Sequence, residues 1–260
     1  MLTLLKTREF ANGKVHALAL PGGFKIETTD TFLPEYTRHA VNGDNRLKDA
    51  CLGDRSERWM IGVSVMSGCP VRCRFCATGN MPGWRNLTME EITEQIRFVL
   101  GQNDIDPTDS KEFKINYTRM GEPFLNLDAV QRVIRHTSSV YPNTHHYVST
   151  IGLKDADYSW ISGNTTLQIS LHAMSEGRRN WLIPYGRKAS IADLGKIRTH
   201  SNQKTTINLT LVEDSDFDMA VLKEHFDPAH FFVKLSPINK NAVSSANGLG
   251  NGAITTTNLV

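Results

Sequence analysis

The 260-residue sequence has no long apolar segment and almost no excess of charge of either sign. No run of about 18 apolar residues occurs, so we expect no helix across a membrane. The N-terminus contains Lys6 and no small-residue cleavage site, so we expect no secretory signal. The 29 basic and 27 acidic residues leave a net charge of +2, which neither requires nor excludes a local patch for nucleic acid. A hydrophobic content of 40% excludes a wholly disordered chain, a coiled coil and a collagen-like fibre.

Cysteine is also scarce, and its placement is informative. The chain has four cysteines, of which Cys69, Cys73 and Cys76 fall within eight residues, while Cys51 stands apart. A disulfide framework spreads its cysteines along the chain to close loops, so this pattern excludes one. The cluster indicates metal binding in a reducing compartment instead. We therefore expect a cytoplasmic protein with no membrane partner.

Short apolar or β-branched segments, bounded by Gly, Pro, Asn or Asp, alternate with amphipathic segments of helical spacing. The predicted strands are Trp59–Val65, Phe113–Tyr117, His145–Thr150, Leu167–His172, Thr205–Val212 and Phe231–Leu235. A capping box at Thr88 to Glu91 predicts the start of the first helix. Six strand-then-helix units predict an α/β fold, a partial (β/α)6 barrel with right-handed crossovers over residues 57–240. In such folds the chemistry sits at the carboxyl ends of the strands.

The two ends of the chain fall outside this alternation. Residues 1–56 are predicted to form a small N-terminal β extension, with a hairpin of Lys14–Leu20 and Phe24–Thr28. Residues 241–260 are rich in Asn, Gly, Ser and Thr, which predicts a flexible tail and not a seventh unit.

The three clustered cysteines follow the first barrel strand as C-x3-C-x2-C. Three thiolates on one tight loop can hold three irons of a cubane cluster and leave the fourth iron without a protein ligand. An open metal position is typical of a catalytic site. The alternative is a zinc knuckle that borrows a ligand from His145, His146 or Cys51. Zinc sites usually combine two ligand pairs, and the sequence has no second pair of that kind.

With the aromatic residue Phe75 before the third cysteine, this motif resembles that of the radical S-adenosylmethionine (SAM) superfamily. The resemblance implies a [4Fe–4S] cluster whose open iron holds the amino and carboxylate groups of SAM. It also implies reductive cleavage of SAM to methionine and a 5′-deoxyadenosyl radical, with a low-potential electron donor such as a flavodoxin. The protein then supplies orientation and a dry pocket for chemistry that belongs to the cofactors.

Within the superfamily the chain most resembles the RlmN/Cfr-type RNA adenine methyltransferases, over residues 49–240. The matching stretches are Ala77–Gly79, Arg85–Thr88, Met120–Asn126, Ser149–Gly152, Ser170–Ala173 and Pro237–Asn239. The SAM-binding residues that the resemblance implies, besides Phe75, are Gly121, Glu122, Ser149, Ser170, Leu171, His172 and Asn239. It further implies Asp49 as an acidic catalytic residue, by a loose alignment.

Individual residues of this set have alternative interpretations. Glu122 is expected to accept a hydrogen bond from the SAM ammonium group, or else to be a helix-entry turn residue. A hydroxyl at Ser149 would reach the SAM carboxylate, and Asn239 the adenine or ribose. A single histidine at a strand end, such as His172, is more often a structural residue than a ligand.

The chain departs from this family at functional positions. Gly62 stands where the family has a cysteine that takes part in methyl transfer, and no cysteine follows Cys76 to act as the second. Arg119 departs from the family sequence before Met120-Gly121. The helical N-terminal RNA-binding domain of the family is expected to be absent. These departures predict that methyl transfer through cysteine does not operate as the family performs it.

Three hypotheses follow. The chain is a divergent radical SAM enzyme that modifies RNA or a nucleotide, a radical SAM enzyme for a peptide or small molecule, or a non-catalytic iron–sulfur protein. Basic residues predicted at the barrel mouth, with Trp84 and Trp181 as base-stacking platforms, favour nucleic acid. These basic residues are Arg72, Arg74, Arg85, Arg178, Arg179, Arg187 and Lys188. For Arg178, Arg179, Arg187 and Lys188 a solvated helix face is an equal alternative.

Overall fold

Strands and helices alternate along the protein, and the computed structural model describes residues 2–33, 53–211 and 216–250. The strands are β1 (Thr3–Phe10), β2 (Gly13–Ala19), β3 (Lys25–Phe32), β4 (Arg58–Val63), β5 (Met66–Ser67), β6 (Arg85–Asn86), β7 (Glu112–Tyr117), β8 (His145–Thr150), β9 (Ser162–Gly163), β10 (Thr165–Ser170), β11 (His200–Ser201), β12 (Thr205–Leu211) and β13 (Phe231–Pro237). The α-helices are α1 (Met89–Leu100), α2 (Leu127–Val140), α3 (Glu176–Leu182), α4 (Ile191–Leu194), α5 (Met219–His225) and α6 (Ala242–Ala246).

These elements form two compact units. The first consists of Met1–Ser67, Asn86–Met120 and Asn126–Tyr147, and the second of Gly68–Arg85, Gly121–Leu125 and Val148–Val260. Among the described residues, no helix is long and apolar enough to cross a membrane.

The first unit is built on strands in the order β1-β2-β3-β4-β7. Strands β1 to β4 pair antiparallel, whereas β4 and β7 pair in parallel, with Ile61 opposite Ile115. Alternate β4 residues, Ile61 and Val63 among them, are fully buried. Helix α1 packs against β4 and α2, and burial of its apolar face is the main source of its stability. It begins at the predicted capping box, in which Thr88 and Glu91 bond each other's backbone N–H groups.

The N-terminal strands differ in part from the prediction. The predicted hairpin is present, since β2 and β3 pair antiparallel across the turn at Pro21–Gly23. Strand β1 was not predicted, because seven of its eight residues are exposed and it lacks the alternation of a half-buried strand.

The second unit contains the parallel strands β10-β12-β13, with Ile169 opposite Ile207 and Leu209 opposite Leu235. The buried apolar side chains of these strands include Leu167 and Ile169 of β10 and Ile207 and Leu209 of β12. All six strands predicted for residues 57–240 are present, and the mixed α/β class with a parallel sheet is confirmed. The division at residues 56 and 240 stays a prediction.

The segment after β13 is more ordered than the sequence predicted. Residues Ala242–Ala246 form helix α6, where a loop was expected. The Asn241 side chain accepts hydrogen bonds from the N–H groups of Val243 and Ser244 at 2.9 and 3.0 Å. An N-cap of this kind satisfies donors that a short helix leaves unpaired, and it allows a polar segment to be helical.

Candidate functional site

The loop that carries the three cysteines belongs to the second unit and turns tightly. Gly68 has a φ of +75°, and a Cβ there would lie 2.3 Å from the carbonyl oxygen of Gly83. The N–H of Cys76 donates to the carbonyl of Cys73 at 3.0 Å. Arg72, between two of the cysteines, has a φ of +56°, an uncommon conformation for a residue with a side chain. The loop therefore turns back on itself and keeps all three cysteines in one short segment.

The three cysteine thiols are half-buried and form no disulfide. Burial raises the pKa of Cys69 to about 12. Burial also raises the pKa of Cys73 well above its ordinary value, and the charges of Cys76, Cys69 and Glu122 add to the shift. The Cys69 and Cys73 thiols therefore stay protonated unless a cation compensates their charge, and a bound metal deprotonates a coordinating thiol. The donor set thus fits a metal cluster better than isolated reactive thiolates.

A site for a single metal ion is the alternative to a metal cluster at these cysteines. Among the described residues, no three His, Cys, Asp or Glu side chains converge as ligands of one metal ion. In an iron–sulfur cluster several thiolates share a group of irons. We retain the cluster as a proposal, carried by three free thiols on one loop.

Arg74 and Phe75 of the loop are held by residues of α3 and by the residues that flank α6, all in the second unit. The N–H of Arg74 donates to the carbonyl of Leu182, and its side chain to the carbonyl of Trp181, both at 2.9 Å. From α6, Asn241 donates to the carbonyl of Phe75 at 2.9 Å. Asn247, which follows α6, donates to the carbonyl of Arg74 at 3.0 Å. Sequence reasoning missed both asparagines, because their partners lie more than 160 residues away.

Glu122 is buried in the turn after Gly121, which has a φ of +102°. Its carboxylate accepts hydrogen bonds from the N–H groups of Phe124 at 3.2 Å and Ile151 at 2.9 Å. Burial raises the pKa of Glu122 to about 7. The turn role that the sequence offered as an alternative is therefore present. The Thr150 side chain also hydrogen-bonds this carboxylate. The contact of Glu122 with SAM stays a proposal.

Phe75 and His172 pack against each other, with ring centroids 4.9 Å apart and edge-on geometry. His172 has a φ of +60°, and its Nδ1 accepts a hydrogen bond from the N–H of Thr210 at 3.1 Å. Burial, and secondly the charge of Arg179, lowers the pKa of His172 to about 3. The imidazole is therefore neutral, and its proton is on Nε2, because Nδ1 is an acceptor. His172 can offer one hydrogen-bond donor without adding charge.

The remaining predicted SAM residues lie at or after strand ends in the second unit. Ser149 Oγ donates to Oε1 of Gln168 at 2.8 Å, and Ser170 is half-buried at the end of β10. Leu171 is buried, and its N–H bonds the carbonyl of Asn208 at 3.1 Å. Asn239 is exposed. The catalytic candidate Asp49 lies outside the described residues, as does Cys51.

Arg179 is a correction to the sequence analysis, which placed it at a basic mouth or on a solvated helix face. It is fully buried, and its guanidinium donates to the carbonyls of Ala189 at 2.7 Å and Ile151 at 2.5 Å. Burial lowers its pKa to about 10. Leu182, three residues later, is also buried on α3. That i, i+3 relation was the sequence signal that Arg179 faces inward.

Gly62, in the first unit, has no room for a side chain. A Cβ there would lie 2.4 Å from Thr29 Oγ1 and 3.1 Å from Cδ of Arg119. Nη2 of Arg119 lies 2.6 Å from a carboxylate oxygen of Glu27. Two departures from the expected family pattern, Gly62 and Arg119, thus lie next to each other.

Comparison with known proteins gives relatives along most of the chain. A probable dual-specificity RNA methyltransferase RlmN from Dictyoglomus turgidum is 31% identical over 230 residues, which are 82% of this chain and 64% of that protein. Its counterpart from Chlorobaculum tepidum is 34% identical over 212 residues, 76% of this chain and 55% of the relative. The chain thus spans less than two thirds of these relatives' length. No protein-family model matches it.

A solved structure supports the same assignment at the level of the fold. The radical SAM methyltransferase from Sphaerobacter thermophilus matches with a TM-score of 0.71 at 23% identity, over 97% of this chain and 71% of that one. The sequence relatives and the shared fold agree with the cysteine loop and the strand-end motifs. The chain is therefore similar in sequence to proteins named as RlmN RNA methyltransferases, and it shares the fold of a radical SAM methyltransferase.

Proposed function

We propose that this chain is a cytoplasmic radical SAM enzyme that modifies a nucleobase in RNA. The observation that carries the proposal is the loop with three free, half-buried thiols, in a chain whose relatives are named RNA methyltransferases. Cys69, Cys73 and Cys76 would hold a [4Fe–4S] cluster. When bound, the cluster and SAM supply a 5′-deoxyadenosyl radical, after reduction by a low-potential donor such as a flavodoxin.

The protein's own residues would bind SAM and hold it in place. Gly121 has a backbone conformation that suits close approach of a ligand. Glu122 would accept from the SAM ammonium group, since its two bonds to backbone N–H groups already fix the carboxylate in position. His172 would donate from Nε2, with its ring held by Thr210 and Phe75. Ser149, Ser170, Leu171 and Asn239 would complete the pocket.

The reaction would proceed without a side chain at residue 62. The close approach of Thr29 and Arg119 to Gly62 supports this, because a cysteine there would have to displace the buried Thr29 and the side chain of Arg119. Nothing in the described residues favours a peptide substrate or a non-catalytic iron–sulfur protein over RNA.

Anaerobic reconstitution with iron and sulfide, followed by reduction in the presence of SAM, tests the proposal. We expect a brown protein with cluster iron and the formation of 5′-deoxyadenosine, measured by mass spectrometry. Cys73→Ala should lose both, and Cys51→Ala, which removes the cysteine outside the motif, should keep both. Equal iron content in the Cys73→Ala and wild-type proteins would overturn the cluster assignment. A cluster without cleavage, even with RNA added, would overturn the enzymatic one.

A further inference from the structure

Of the four tryptophans, Trp84 is the only one with an exposed side chain, at 51%. Trp59 is fully buried, and Trp160 is half-buried. Trp181 was the other predicted stacking platform, but the guanidinium groups of Arg178 and Arg74 lie over its ring, 4.6 and 5.0 Å from the centroid. A ring already covered by two cations is not open to a base. Within the described ranges, Trp84 is thus the tryptophan with the most exposed indole that carries no cation over its ring.

The backbone under Trp84 is fixed by its approach to the cysteine loop. A Cβ on Gly68 would lie 3.1 Å from both Cα and Cβ of Trp84, and 2.3 Å from the carbonyl of Gly83. Gly83 itself has a φ of +77°. This close approach places Cα and Cβ of Trp84 next to Gly68, the residue that precedes Cys69. A large apolar ring on a fixed backbone loses little entropy when a partner stacks on it.

The segment around Trp84 is basic. Gly68–Arg85 contains Arg72, Arg74 and Arg85 and neither Asp nor Glu. The Arg72 side chain is exposed, whereas Arg74 is engaged with the carbonyl of Trp181. An exposed aromatic ring on a segment that carries cationic side chains and no carboxylate is typical of surfaces that bind single-stranded nucleic acid.

We propose that Trp84 stacks on an unpaired base of single-stranded RNA, with Arg72 contacting the phosphate backbone. The inference rests on the proposed function for the class of partner, and it adds the residue that holds the partner. Aromatic side chains recognise bases that are splayed out of a helix, because only such bases expose a full π-face. Double-stranded RNA of the same sequence should therefore gain nothing from Trp84.

Fluorescence anisotropy of a labelled single-stranded RNA of about 16 nucleotides, with reconstituted protein, tests this. Trp84→Leu keeps an apolar side chain and removes the π-face, so we expect the affinity to fall about 5- to 140-fold. Trp84→Phe keeps a π-face and should bind within about threefold of wild type. The matched control is Phe232→Leu, since Phe232 is a 59% exposed aromatic residue of the same unit, and its loss should leave binding unchanged. Iron content and melting temperature of each variant report folding.

The outcomes separate the two proposals. No binding by the wild-type protein at low salt would overturn RNA as the partner, and with it the role of Trp84. Salt-dependent binding that is unchanged in Trp84→Leu would overturn this inference and leave the RNA partner standing. Equal losses in Trp84→Leu and Phe232→Leu, or an equal loss with double-stranded RNA, would also overturn it. If Trp84→Leu loses its iron, the test uses Trp84→Phe alone. Stacking is then refuted if Trp84→Phe loses as much affinity as was expected for Trp84→Leu.

Discussion

Replacing Gly62 with alanine measures how closely the strands of the first unit pack at this position. The added methyl group would meet Thr29 Oγ1 at 2.4 Å, and Thr29 is 8% exposed. Forcing an extra carbon into a packed site costs about 1–3 kcal/mol. Glycine to alanine also restricts the unfolded chain, which returns about 0.4–1 kcal/mol. We therefore expect Gly62→Ala to lower the free energy of unfolding by about 1–2 kcal/mol.

A double-mutant cycle with Thr29→Ala isolates the cause. Without the threonine hydroxyl, only the longer approach to Arg119 remains, so Gly62→Ala should cost less. The coupling free energy then reports the part of the overpacking cost due to Thr29, within about 1–3 kcal/mol. Urea unfolding followed by circular dichroism gives each free energy. Gly177→Ala is the control, because nothing lies within 4 Å of a Cβ at this helical position, and it should stabilise. The reasoning fails if Gly62→Ala costs the same in both backgrounds, within about 0.5 kcal/mol.

Three further predictions concern other parts of the chain. Asn241→Ala removes the N-cap of α6 and the hydrogen bond to the Phe75 carbonyl. It should lower the free energy of unfolding by about 1.5–3 kcal/mol and speed the loss of cluster iron to a chelator. An unchanged rate of iron release would contradict the role of α6. Glu122→Ala should weaken SAM binding by about 1.5–3 kcal/mol by calorimetry, and an affinity within twofold of wild type would make Glu122 only a turn residue. Burial lowers the pKa of His146 from its ordinary value of 6.5 to about 3. At pH values between these two, His146 is protonated in the unfolded chain and neutral in the folded protein. The contribution of His146 to stability should thus be complete above pH 6.5 and fall by about 1.4 kcal/mol per unit as the pH drops below it, and His146→Gln should remove that part of the slope.

The strands and helices of the core were predictable because their signals are local. The spacing of apolar residues in Trp59–Val65 and the capping box at Thr88 each depend on a few neighbouring residues. Strand β1 was missed for the same reason, since an exposed edge strand carries little of that signal. The burial of Arg179 was missed because its partners, Ile151 and Ala189, come from other elements.

The sequence by itself determined which side chains are available for chemistry. Three cysteines within eight residues, and a glutamate after a strand end, can be read directly from the sequence. The spacing of the cysteines by itself predicts a loop that binds a cluster. Only the tertiary structure decided how these groups are held. Asn241 and Asn247 donate hydrogen bonds to the cysteine loop. Thr29 and Arg119 fill the space beside Gly62. Of the two predicted stacking tryptophans, Trp181 is covered by arginines and Trp84 is exposed. Each of these depends on contacts between residues distant in sequence, and such contacts exist only once the chain is folded.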